Sequence, residues 1–133
     1  MSLVRSGAIR RYPHIIFVLP HGGGFIPFAA HRLAMTMTFD SDRTVEELLA
    51  DLRTFHVDTA QAVSPASLPW VLSFLGIDHV LFGTDWPHAS DPGIAHFMAN
   101  YAQIALDETD RAAIDEDNAR RLLPRFAGDL GRV

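Results

Sequence analysis

The chain is 133 residues long and 48% hydrophobic, with 11 basic against 16 acidic residues and a formal charge of −5. That length bounds it to one domain, and the acidic balance, with a pI near 5.7, excludes a nucleic-acid surface. It has no cysteine, hence no disulfide framework or thiolate chemistry. No apolar stretch approaches the roughly 18 residues of a bilayer span, and Met1-Ser2-Leu3-Val4-Arg5 lacks the apolar region of a signal peptide, so a soluble, cytoplasmic protein without a membrane partner is expected.

Residues 4–11 read as the end of a helix closed by Tyr12-Pro13. Ile15 to Leu19 is apolar without polar alternation, so 14–20 is predicted as a strand buried on both faces, ending at Pro20-His21-Gly22-Gly23-Gly24. Residues 25–37 read as an apolar helix with Pro27 near its start. Thr44-Val45-Glu46-Glu47 is a capping box that opens an amphipathic helix to about Arg53. Residues 55–59 are a second short strand. Ser64-Pro65, an N-cap followed by proline, starts a helix through Leu68, Val71 and Leu75 to Gly76. The third strand covers 79–84 and runs into Asp85-Trp86-Pro87. Asp91-Pro92 repeats the cap-plus-proline signal before a helix through Phe97 and Tyr101. Two short helices follow, at about 109–115 and 116–123, leaving 4–124 as the structured core of a single unit, 1–133, with 125–133 as a loose tail.

Strands alternating with helices predict an α/β architecture of parallel strands with helical crossovers. Three strands are too few to close a (β/α)8 barrel, which takes about 250 residues. The chain is therefore either a small open sheet or part of a larger barrel.

His21 and Asp85 each follow a buried strand, at the edge of a parallel sheet where chemistry is done. Imidazole plus carboxylate is a ligand pair for zinc and related divalent ions, and Asp85 could instead act as a base on a bound water. The plainer readings are a cap or core histidine and a loop-capping aspartate. Gly22 and Gly23 would let the backbone approach a substrate. Arg32, on the following helix, could reach a substrate carboxylate, and His88 could line the same mouth. His56 and Asp58 are either a dyad or a packed polar pair, and Trp70 and Phe74 read as core. By side-chain parity Asp85 shares a face with Gly83, Leu81 and His79, and His21 with Leu19, Phe17 and Ile15, with His79 at the far end of its strand.

Several segments together resemble the amidohydrolase-related metal-dependent family, which includes aminocarboxymuconate-semialdehyde, resorcylate and methylsalicylate decarboxylases. They are Leu19-Pro20-His21-Gly22-Gly23-Gly24-Phe25-Ile26-Pro27-Phe28, Asp58-Thr59-Ala60, Leu81-Phe82-Gly83-Thr84-Asp85-Trp86-Pro87-His88 and Asn118-Ala119-Arg120-Arg121-Leu122-Leu123. The resemblance runs from about residue 6 to 125. It implies the C-terminal half of a (β/α)8 TIM-like barrel with helices outside the strands, and makes His21 and Asp85 metal ligands. It implies a divalent metal, zinc first and manganese second, and a small-molecule carboxylate substrate. The family's His-x-His pair on the first strand has no counterpart here, so this chain alone is expected to hold metal poorly or not at all. The functions implied are a metal-dependent hydrolase or decarboxylase, a lactone-type hydrolase with Asp85 activating water, or a non-catalytic half-barrel. Unpaired strand edges and an uncovered apolar inner face, expected at Ile15, Phe17, Leu19, Leu81 and the Phe55 strand, further predict a homodimer or larger assembly.

Overall fold

The structure is a computed structural model that describes residues 2–126. The expected tail at 125–133 therefore lies almost wholly outside the described residues. The strands β1 (Val18–Leu19), β2 (His56–Asp58) and β3 (Val80–Leu81) form one sheet in the order β1-β2-β3. Both pairings are parallel, with Leu19 opposite Val57 and Val57 opposite Val80. The ladders are shorter than the apolar runs because β1 and β3 each have a neighbour on one side only. Single bonds extend them, from His56 N to the Phe17 carbonyl (2.9 Å) and from Thr59 N to the Leu81 carbonyl (2.9 Å).

Around the sheet lie α1 (Ser2–Arg5), α2 (Ala8–Arg11), α3 (Ile26–Thr38), α4 (Val45–Leu52), α5 (Ser67–Leu75), α6 (Asp91–Gln103), α7 (Glu108–Ala112) and α8 (Asn118–Leu122), with a π turn at Ala113–Asp117. The first predicted helix is split, because Gly7 at φ 69° breaks it in two. The α4 capping box is present in both directions: Thr44 Oγ1 accepts from Glu47 N (3.2 Å) and Glu47 Oε2 from Thr44 N (2.8 Å). The two cap-plus-proline signals are displaced. Ser64 accepts from the N–H of Ser67 (2.9 Å) and caps a turn, and α5 begins only at Ser67. At α6 the cap position is Ser90, with Asp91 already helical.

Leu19, Val57 and Val80, in register, face the helices. Val57 and Val80 are buried with Leu68, Val71, Leu75, Phe97, Tyr101 and Ile114 in one cluster. Val4, Ala30, Ala34, Leu48, Leu52 and Phe55 form a second under α1, α3 and α4, and Leu19 and Phe74 touch both. Each fully buried aliphatic side chain is worth about 1.5–3 kcal/mol over exposure. Val18, His56, Asp58 and Leu81 share the opposite face, and Val18 is 47% exposed against 1% for Val57. The parity argument thus holds for β3 and fails for β1. Phe17 and Leu19 pack on the helix side, because the chain turns left-handed at His21 and strand alternation stops there.

Asn118 locks the far end of the sheet. Its buried Nδ2 donates to the carbonyls of Ile77 (2.8 Å) and Val80 (2.7 Å). The result is three adjacent strand–helix units of a partial (β/α)8 barrel.

Candidate active site

Beyond each strand's C-terminal end the backbone turns left-handed at a non-glycine residue: His21 (φ 57°), Gln61 (φ 52°) and Asp85 (φ 65°). Among the described residues these are the three non-glycine positions with positive φ. Such a conformation costs an L-residue about 1–2 kcal/mol, and strain of this kind concentrates at functional sites. The three side chains meet. His21 Nε2 lies 3.4 Å from Asp85 Oδ1, and Gln61 Nε2 donates to Asp85 Oδ2.

The residues behind them explain the placement. Gly22, Gly23 and Gly24 continue the left-handed turn begun at His21, with φ of 63°, 75° and 59°. Gly22 also has no room for a side chain, and Gly23 has little. A Cβ would stand 2.7 Å from Ala62 Cβ at Gly22 and 3.0 Å from Val57 Cγ1 at Gly23. Asp58 Oδ1 accepts from the N–H of His21 (2.7 Å) and of Ala60 (3.1 Å), pinning the turn to the end of β2. The buried Thr59 hydroxyl donates to the Gly83 carbonyl (3.1 Å) and faces its N–H (3.0 Å), fastening the segment that carries Asp85.

The Gln61 hydrogen bond, then that of His21 and the imidazole charges of His21 and His88, hold the Asp85 carboxyl below the usual carboxylate range against its partial burial. Asp85 is thus an anion at neutral pH. The 3.4 Å between imidazole nitrogen and carboxylate oxygen suits two donors sharing one ion at about 2.1 Å each. Among the described residues no third His, Cys, Asp or Glu completes a metal-holding group. The pair fits one side of a coordination sphere and no more.

A cavity of about 440 Å³ opens beside the pair, lined by His21, Gly22, Phe28, Gln61, Ser64 and Trp70 among others. The Phe28 and Trp70 rings, from α3 and α5, stand 5.5 Å apart, and Trp70 Nε1 donates to the Pro27 carbonyl (3.2 Å). A second cavity of about 480 Å³ reaches toward α6 and shares Gln61 and Ser64 with the first.

Of the residues expected at the site, His21 and Asp85 are together and Gly22 lines the cavity. Gly23 is packed against Val57 instead, and Arg32 and His88 are exposed and outside the cavity lining. His14 and His31 are exposed and outside the cavity lining, and His96, exposed on α6, lines the second cavity. His56 does not pair with Asp58. It stacks on His79 at 4.5 Å, at the opposite edge of the sheet. Trp70, expected in the core, is 53% exposed at the cavity. By sequence Asp58 has a role only with His56, Thr59 and Phe28 stand only in segments that carry the resemblance, and Gln61 has no role, since glutamine gives no hint of a left-handed backbone.

The amidohydrolase family's profile matches residues 1–125. The chain is 36% identical over 137 residues to the 6-methylsalicylic acid decarboxylase of Penicillium expansum, covering 100% of this chain and 42% of that protein. It thus spans about two-fifths of that relative's length. Among solved structures, a 2,6-dihydroxybenzoate decarboxylase complexed with 2,6-dihydroxybenzoate superposes with a TM-score of 0.76 at 25% identity, covering 92% of this chain and 38% of that one. A dihydroxybenzoic acid decarboxylase from Polaromonas sp. JS666, with bound manganese and 2-nitroresorcinol, shares the fold at a TM-score of 0.74 and 24% identity, covering 92% and 37%.

Proposed function

The chain belongs to the amidohydrolase family, and on that premise we propose that it carries part of the site of a metal-dependent decarboxylase acting on a small aromatic carboxylate. One observation carries the reading: His21, Gln61 and Asp85, all left-handed, converge at the C-terminal edge of the strands beside an aromatic-walled cavity. The relatives compared above are decarboxylases, so the hydrolytic and non-catalytic alternatives are not carried forward.

In this reading His21 and Asp85 are ligands of a divalent ion, zinc or manganese, whose charge would stabilise the carboxylate and phenolate oxygens of the substrate. The ring would lie against Phe28 and Trp70, with the Gly22 backbone at its edge. Arg32, exposed on α3, would attract its carboxylate by charge, and the exposed His88, near Asp85, would offer it an imidazole N–H. Aryl decarboxylation exchanges a C–CO2 bond for a C–H bond. The ring carbon takes up a proton, the electrons of the breaking bond return to the ring, and CO2 leaves. The finer expectations, a cytoplasmic protein acting as a homodimer or larger, belong to the same proposal.

A second reading is favoured by one detail: His21 lines the cavity and Asp85 does not. His21 would then stay off the ion and deliver the proton, with the Asp85 carboxylate orienting its Nε2. The test is CO2 release from 6-methylsalicylate and 2,6-dihydroxybenzoate by the metal-loaded protein, with metal content measured on the same samples. Asp85→Asn should lose metal and activity together. His21→Asn should lose both if His21 is a ligand. If His21 is the proton donor, metal stays and turnover falls by about 10²-fold or more. Neither substrate turning over, in the chain or in a parent that contains it, would overturn the reading.

A further inference from the structure

Of the three left-handed residues, Gln61 is the one given no part in holding an ion or moving a proton. It leaves β2 just beyond Thr59, whose hydroxyl is bonded to Gly83, two residues before Asp85. Its φ of 52° costs the fold energy that a glycine there would not, and the side chain is exposed, so core packing does not explain the residue. Its amide Nε2 donates to Asp85 Oδ2, leaving Oδ1 for the contact with His21. It also lines both cavities at the C-terminal edge.

We propose that Gln61 is a positioning residue of the site: it occupies one oxygen of Asp85, presents the other beside His21, and stands where a carboxylate in its place would be a third ligand for a divalent cation. This rests on the metal reading of His21 and Asp85. A neutral amide at this position avoids a further negative charge beside Asp85 and Asp58, which an unloaded site would have to hold. The amide group has donor hydrogens to give Asp85, whereas an ionised Glu at the same position would have only acceptors.

The experiment compares the wild-type chain with Gln61→Gly and Gln61→Glu, reading Zn²⁺ affinity by competition with a chromophoric chelator and folding by circular dichroism and thermal melting. Gln61→Gly removes the side chain while accepting the left-handed backbone, so it should fold at least as stably as wild type and bind Zn²⁺ about 10-fold more weakly. Gln61→Glu should melt lower without metal, bind Zn²⁺ at least about 10-fold more tightly than wild type, and regain its melting temperature when loaded. A limit on the wild-type dissociation constant is enough for that comparison. Gln61→Glu binding no more tightly than wild type, including no binding by either, overturns the proposal. So does Gln61→Gly binding as tightly as a wild type whose affinity is measurable, and in that case the metal reading stands. Binding by Gln61→Glu that survives a second change, Asp85→Ala, would instead show the ion lying elsewhere and overturn the metal reading itself.

Discussion

At Thr59 one buried hydroxyl both gives and accepts a hydrogen bond with the backbone of Gly83, holding the ends of β2 and β3 at the distance the site needs. Thr59→Val keeps the shape and strands both backbone partners. Denaturant unfolding should show a loss of about 1–3 kcal/mol, with metal affinity falling as Asp85 loosens. The glycine turn offers a matched pair. At Gly22 an alanine meets both a left-handed backbone and Ala62 at 2.7 Å, whereas at Gly24 it meets the backbone cost with nothing within 4 Å. Gly22→Ala should cost about 2–5 kcal/mol and Gly24→Ala about 1–2, measured by the same unfolding curves. Equal losses would mean that close packing at Ala62 is not what requires glycine. Sequence pointed to the glycines because three in a row have few other uses. It could not say that two of them serve packing, since Ala62 and Val57 are distant along the chain.

Among the elements, α3 has an outer face that the core does not use. Phe28 and Met35 are exposed along it on either side of Arg32, with Phe25 and Phe39 exposed at its two caps, and Phe39 is 83% exposed. A two-fold axis beside such a stripe would place it against its own copy, covering both at once. At the other edge of the sheet, burial first, then the charges of His79 and Arg121, hold His56 below its ordinary value. Arg121 is itself paired with Asp78 (2.8 Å), and the His79 Nδ1 faces the Phe55 carbonyl (2.9 Å). A histidine depressed in the fold gives its full stability above the unfolded value of about 6.5, and loses it as pH falls through that value toward the folded one. Unfolding midpoints should therefore drop between about pH 7.5 and about pH 5.5, and His56→Asn should flatten the drop. An unchanged slope in the variant would assign the effect to other groups.

At the scale of the molecule, two apolar surfaces stand exposed among the described residues: the inner sheet face at Ile16 and Val18, and the α3 stripe. The uncovered set expected from the sequence was Ile15, Phe17, Leu19, Leu81 and the Phe55 strand. Phe17 and Leu19 are instead packed, because the β1 parity is reversed, and Phe55 is buried in the cluster under α1, α3 and α4. At about 25 cal/mol per Å², covering about 400 Å² is worth on the order of 10 kcal/mol before the cost of association. Sedimentation velocity at micromolar concentration should show a dimer or larger species, and Met35→Glu with Phe39→Glu should shift it toward monomer if α3 is the contact. A clean monomer in the unaltered chain would mean that neither face drives association.

The local signals in the sequence determined the order of strands and helices, the α4 cap and the two residues at the strand ends, His21 and Asp85. Each of these depends on neighbours within about four residues, or on a run of one polarity. The resemblance carried by those segments, and not their periodicity, supplied the barrel. Tertiary structure alone decided which face of β1 is inner and that His56 stacks on His79. It also decided that Trp70 stands at a cavity and not in the core, and that Asp58, Thr59 and Gln61 build the site. The reason is common to all of them. Each is a contact between residues tens of positions apart, created when parallel crossovers bring successive strand ends to one edge, and no spacing along the chain encodes where those ends will meet.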